Sequence, residues 1–201
     1  FFSIVVTTFN SINYIDKTIK SILKQNYSNY EILLIDDCSH DNTVKFVKEK
    51  YNHKVKIFST EKNFGGPGKS RNIGIEKSKG NWISFLDADD FWFQNRLYHF
   101  YDLIIKNPKY EVFCSNEILI NKNVKKKIKI THGPYSKNFF EDLLLKGNKL
   151  SPSSTVIKKE FLIKKNIFFD INQDLIGVED YDFWLNLSKN KAKFFFTSKI
   201  L

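Results

Sequence analysis

The chain has 201 residues, 42% of them hydrophobic and 27% charged, with a net charge of +10. That supports one domain of generous size, or a core with a small appendage, and excludes wholesale disorder. No apolar run reaches transmembrane length, and the phenylalanines sit in apolar runs without interleaved arginine, which argues against nucleic acid and leaves a solvated surface, an anionic membrane face or a polyanionic substrate as readings of the basic excess.

In chain order, Ser3 to Thr8 is β-branched and reads as a buried strand. Ile12, Ile15, Ile19, Ile22 and Leu23 recur at helical spacing and predict a helix up to Asn26. Glu31 to Ile35 is a second strand, and Asp41 is the expected N-cap of a helix running to Lys50. Val55 to Ser59 is a third strand. A glycine-rich loop, Gly65 to Gly68, leads into a helix over Ser70 to Lys77. Trp82 to Leu86 is a fourth strand, followed by a helix from Gln94 to Lys106.

The second half is less regular. Val112 to Ile120 and Val124 to Ile130 read as two strands joined near Asn121-Lys122-Asn123, and alternation in Lys127 to Ile130 puts lysines on one face and isoleucines on the other. Phe139 to Lys146 predicts a helix, Thr155 to Ile157 a short strand and Glu160 to Lys165 a short helix. Asp180 to Lys189 is a helix with Phe183, Trp184 and Leu187 on its apolar side. Cys38 and Cys114 lack metal-type spacing and read as reduced thiols of a cytosolic protein. The opening residues do not form a signal peptide. The missing initiator Met and the strand-like Phe194 to Leu201 lead us to expect a fragment of a longer protein.

Four strand–helix alternations predict an α/β fold, a doubly wound and mostly parallel sheet, with an irregular α+β second half. With strand order 3-2-1-4, the ends of strands one, two and four share one crevice. Thr7, Thr8, Phe9 and Asn10 follow the first of these, Asp36 and Asp37 the second, and Asp87, Ala88, Asp89 and Asp90 the fourth. Three carboxylates in four residues repel unless a cation neutralises them, and hard oxygen ligands suit Mg2+ or Mn2+. The other reading is an acidic turn capping the next helix. Asp36 and Asp37 either cap the following helix or accept from a uracil imide or a ribose hydroxyl. Arg71 is either a surface guanidinium or a charge-assisted nucleotide contact. Glu179 and Asp180 either complement a helix dipole or include a general base; the dipole lowers a carboxylate's pKa while burial raises it. The four histidines lack ligand spacing, and His132 alone is kept as an acceptor contact.

These motifs, in order, are Ile4 to Asn10, Asp36-Asp37-Cys38-Ser39 with Asp41 and Thr43, Arg71-Asn72-Ile73-Gly74, Asp87-Ala88-Asp89-Asp90 and Glu179 to Trp184. Together they resemble the family-2 inverting glycosyltransferases of GT-A fold, over nearly the whole chain. The resemblance implies a UDP-sugar or related donor, a glycan or lipid-linked acceptor, and work on bacterial surface polysaccharides at the cytoplasmic membrane face. It makes residues 1–110 the nucleotide-sugar half and 111–201 the acceptor half of one domain. Thr7 and Phe9 would flank base and ribose, Phe9 standing where the family usually has Tyr and so lacking its hydroxyl. Asp37 would bind the uracil with Asp36 in support, and Arg71 would contact the nucleotide beside Ala88. Asp87 and Asp89 would form the D-x-D element, Asp89 as metal ligand and Asp87 near the ribose. Asp180 would be the catalytic base, with Glu179 beside it. A nucleotidyltransferase would want a glycine- and basic-rich loop after the first strand. A phosphohydrolase would want its acid pair there. A non-catalytic binding module gives no reason for acids at three strand ends.

Overall fold

The computed structural model describes residues 1–121, 126–135 and 138–201. The strands β1 (Phe2–Thr8), β2 (Tyr30–Asp36), β3 (Val55–Ser59) and β4 (Trp82–Asp87) run parallel in the order β3-β2-β1-β4. Every residue of β1 is buried, as expected of a parallel strand covered on both faces. Its side chains alternate between two cores. Phe2, Ile4 and Val6 pack with α1 (Ile15–Leu23), α2 (Thr43–Tyr51) and α4 (Arg96–Lys106). Val5 packs on the other side with α3 (Gly68–Lys77), α5 (Phe139–Lys146), α6 (Lys159–Lys165) and α7 (Glu179–Lys189). The chain builds outwards through α1 and α2, then crosses back on the opposite face through α3. That switch opens the crevice between β1 and β4.

The second half continues the same sheet. β7 (Thr155–Lys158) pairs antiparallel with β4 and with β5 (Val112–Asn121), and β8 (Phe194–Ile200) lies parallel to β5. Beyond an irregularity at Ser115 and Asn116, β5 leaves the main sheet and pairs with β6 (Lys126–Ile130). Ile128 is 39% exposed, so the isoleucine face of β6 is not covered there. The reason is that β6 ends the sheet path, where alternation alone cannot supply a covering layer. Val124, Lys125 and the turn near Lys122 and Asn123 lie outside the described residues.

Two local expectations shift. Ile12 precedes α1, whose buried stripe is Ile15, Ile19 and Ile22. Asn42 occupies the N-cap position of α2, and Asp41 serves from one residue earlier by accepting from Thr43 N at 2.9 Å. The same carboxylate accepts from Ile12 N, so it ties the β1 and β2 loops together instead of only closing a helix. Gly74 is where α3 rests on the sheet: a Cβ there would lie 2.2 Å from Val5 Cγ1.

Candidate active site

The ends of β1, β2 and β4 form the wall of a cleft of about 490 Å3, lined by Thr7, Phe9, Asp37, Asp87, Ala88 and Asp89 among others. Backbone geometry shapes its rim. Asn10 adopts a left-handed φ of 47°, which asparagine tolerates better than most residues. Its Oδ1 accepts from His40 N at 2.8 Å and its own N–H donates to Ser39 Oγ. The loop after β1 is thereby fixed to the loop after β2.

The two aspartates after β2 divide the work. Asp36 is buried and turned away from the cleft, accepting from Ser39 N and Ser39 Oγ. Asp37 faces the cleft, and its carboxylate accepts from Phe64 N at 3.0 Å and Thr60 Oγ1 at 3.0 Å. Neither caps α2. Phe9 is 44% exposed at the mouth, its ring edge-on to His40.

At the floor, Thr7 and Asp87 are register partners across β1 and β4, and Thr7 Oγ1 donates to Asp87 Oδ1 at 3.1 Å. Arg71 rises from α3 behind them. Its Nη2 donates to Asp87 Oδ1 at 2.9 Å and Oδ2 at 3.2 Å, and its Nη1 to Glu179 Oε1 at 2.9 Å. The guanidinium is 3% exposed and does not line the cleft. Both of its terminal nitrogens are therefore committed to carboxylates of the protein. Glu179 accepts this pair, and its other oxygen takes Gly177 N.

Asp180 is half-buried beside Glu179. Its Oδ1 accepts from Tyr181 N and its Oδ2 from Asn148 Nδ2 at 3.0 Å. Burial pushes its carboxyl above the ordinary aspartate range, aided by the Glu179 charge and opposed by Asn148, Tyr181 N–H and Arg71. Desolvation thus outweighs the hydrogen bonds that favour the ionised form. Asp90 is exposed as a residue, yet its carboxyl leans towards Ser153; burial first, then Asp87, Asp89 and Glu117, push it up to about 6.

Among the described residues, no three His, Cys, Asp or Glu side chains converge as a closed metal cage. What is present fits a different kind of site. Asp89 is exposed at the cleft lip with no hydrogen bond or ion pair from any described residue, while Asp87 is already paired. Mg2+ and Mn2+ commonly take one or two carboxylates and complete their shell with substrate phosphates.

Two cleft residues, Ser70 and Asn63, carried no clear sequence signal. Thr8 and Ser70 line the cleft with buried hydroxyls that lack a partner, and Asn63 Nδ2 donates to Asp37 O. Only the positions of Ser70 and Asn63 beside strand ends and the glycine loop offered a hint. Gly65 and Gly66 line the cleft, and Gly68 packs closely against its surroundings. A Cβ on Gly66 would make ordinary contact with Ile176, whereas one on Gly68 would lie 3.0 Å from Asp170 O.

The profile of Glycosyl transferase family 2 matches residues 3–169. The chain belongs to this family. As a member of glycosyltransferase family 2, it is 31% identical over 188 residues to the UDP-Glc:alpha-D-GlcNAc-diphosphoundecaprenol beta-1,3-glucosyltransferase WfgD of Escherichia coli, covering 94% of this chain and 70% of WfgD. It is 40% identical over 94 residues to the poly(ribitol-phosphate) beta-N-acetylglucosaminyltransferase TarS of Staphylococcus aureus, covering 45% of this chain and 16% of TarS. The crystal structure of TarS residues 1–349 in complex with UDP-GlcNAc superposes with a TM-score of 0.79 at 28% identity, over 99% of this chain and 56% of that one. The family-2 domain described here has the GT-A fold of TarS and spans well under two thirds of that protein's length.

Proposed function

We propose that this family-2 chain carries the donor-binding and catalytic part of an inverting glycosyltransferase. It moves a sugar from a UDP-sugar to a hydroxyl of a glycan or lipid-linked acceptor in bacterial surface polysaccharide synthesis. Residues 1–110 bind the donor and 111–201 face the acceptor. The observation that carries this reading is the Asp87–Arg71–Glu179 bridge, which ties the start of α7, and with it Asp180, to the floor of the donor cleft.

In this reading, Asp37 and Asn63 recognise the base at the end of β2, and Phe9 offers it an aromatic edge without the hydroxyl of a tyrosine. Thr7 and Asp87 face the ribose, and Asp36 stiffens the turn behind them through Ser39. Ala88 is small enough to let the donor approach the backbone. Arg71 acts through Asp87 and Glu179 by fixing their carboxylates. Asp89 with Asp87 would hold a divalent cation, Mn2+ or Mg2+, which would supply charge neutralisation at the diphosphate leaving group. Asp180 takes the proton from the acceptor hydroxyl as that oxygen attacks the anomeric carbon opposite the leaving group. One displacement inverts the configuration. Burial supports the role, because a carboxyl held above its ordinary range is a better base.

The exposed lysines Lys126, Lys127 and Lys129 on β6 support peripheral attachment to an anionic inner membrane face in the cytoplasm. No helix among the described residues is long and apolar enough to cross a membrane. The test is a thermal shift with UDP, with and without Mn2+, followed by a UDP-sugar transfer screen of the wild type and Asp180→Asn. Stabilisation by UDP that Mn2+ strengthens, and transfer lost in Asp180→Asn, are expected. No response to UDP plus Mn2+ overturns the reading.

A further inference from the structure

We propose that Asn148 is a positioning residue for Asp180, and that His132 and Glu117 hold the loop that presents it. The inference rests on Asp180 acting as the base. Nothing in the sequence motifs marks residue 148, which lies in the loop between α5 and β7.

The geometry is specific. Asn148 Oδ1 accepts from Leu150 N at 3.1 Å, which leaves its Nδ2 to face Asp180 Oδ2 at 3.0 Å. The orientation of the amide is therefore set by its own loop. Asp180 receives one donor on each oxygen, from Asn148 and from Tyr181 N, and each oxygen keeps capacity for an incoming hydroxyl. A neutral amide steers the carboxylate without cancelling its charge. A lysine or arginine in the same place would stabilise the anion far more and weaken the base.

The loop is braced from behind. α5 ends at Gly147, whose φ of 76° is a conformation that side chains with a Cβ rarely adopt. The next residue is thereby turned towards α7. The following carbonyl, Lys149 O, accepts from His132 Nδ1 at 2.6 Å and from Tyr135 Oη at 3.2 Å. His132 Nε2 faces Glu117 Oε1 at 3.2 Å, and His132 N donates to Asn116 Oδ1. Both ring nitrogens of His132 thus face acceptors, one on the loop and one on β5. β5 is thus connected through His132 to the loop and through Asn148 to Asp180. Tyr181 closes the circuit by donating to Leu143 O on α5 at 2.6 Å.

The charged groups facing Asp180 are Glu179 on its own helix and Arg71 on α3, and neither changes when Asn148 is replaced. The Asn148 hydrogen bond favours the ionised carboxylate, so its loss raises the Asp180 midpoint. The experiment follows the Asp180 carboxyl by 13C NMR across pH, with the signal assigned by its absence in Asp180→Asn. Asn148→Ala, His132→Gln and Gly147→Ala each move the midpoint upwards, while melting of Asn148→Ala stays close to wild type. With the UDP-sugar the wild type accepts, Asn148→Ala lowers kcat by about tenfold or more and leaves the donor KM unchanged, because Asn148 does not line the donor cleft. A midpoint in Asn148→Ala equal to that of the wild type overturns the proposal. Full transfer by Asp180→Asn overturns the assignment of the base instead, so the two failures are distinguishable.

Discussion

Arg71 and Glu179 stand 108 positions apart in the chain, yet Nη1 of one lies 2.9 Å from Oε1 of the other and both side chains are buried. Their pairing joins α3 to α7 under the cleft at the ends of β1 and β4. Truncating one partner leaves the other as an uncompensated buried charge. We expect Arg71→Met to lose about 3–5 kcal/mol of stability, measured by urea denaturation. Arg71→Lys keeps a charge but not the fork that reaches two carboxylates, so it falls between. An unchanged midpoint in Arg71→Met would show that the bridge contributes nothing.

Asp180 supplies a pH prediction. In its proposed role as base, Asp180 works only when ionised, and burial raises its pKa above the ordinary 3.8. The acidic limb of kcat should therefore lie above the range of an exposed aspartate, with activity rising as pH increases through it. Asp180→Asn removes that limb and lowers kcat by about a hundredfold or more. A pH–rate profile of both proteins checks it.

Asp16 carries the opposite sign. Lys20, then Lys50 and Tyr51, donate to its carboxylate and hold it well below its ordinary value of 3.8. A depressed carboxylate stabilises the fold above its unfolded pKa, and that contribution is lost as pH falls through and below it. The group is a third exposed, so solvent limits the effect. Asp16→Asn should cost less than about 1 kcal/mol at pH 7 and nothing in strong acid. Denaturation curves at the two pH values provide the comparison.

Gly74 tests the fit of α3 on the sheet. An added methyl would meet Val5 Cγ1 at 2.2 Å, inside any tolerable contact, and Val5 is fully buried in the central strand. Gly74→Ala should destabilise by about 1–3 kcal/mol despite alanine's better helix propensity. Adding Val5→Ala should restore part of the loss. If the double variant is no better than the sum of the two singles, the contact is not the cause.

Much of the fold is legible in local pattern. Val55–Ser59 and Phe139–Lys146 have the limits that their apolar spacing indicates, and the order β3-β2-β1-β4 follows from alternating strands and helices. The β6 strand was legible as a strand but not in its exposure. Alternation defines two faces without saying whether anything covers them. Asp41 was legible as a capping acid, but its second bond to Ile12 N depends on a neighbouring loop.

The sequence by itself determined the alternating architecture and the gathering of Thr7, Asp37, Asp87 and Asp89 at one edge, because strand direction and crossover handedness carry residues at strand ends to a common crevice. Only the tertiary structure decided which groups those residues face. Arg71 turns to Asp87 and Glu179, Asp36 to Ser39, and Asn148 to Asp180. Charge pairing and desolvation depend on distances of a few ångströms between distant segments. Packing of the two cores sets those distances, and local spacing along the chain does not encode them.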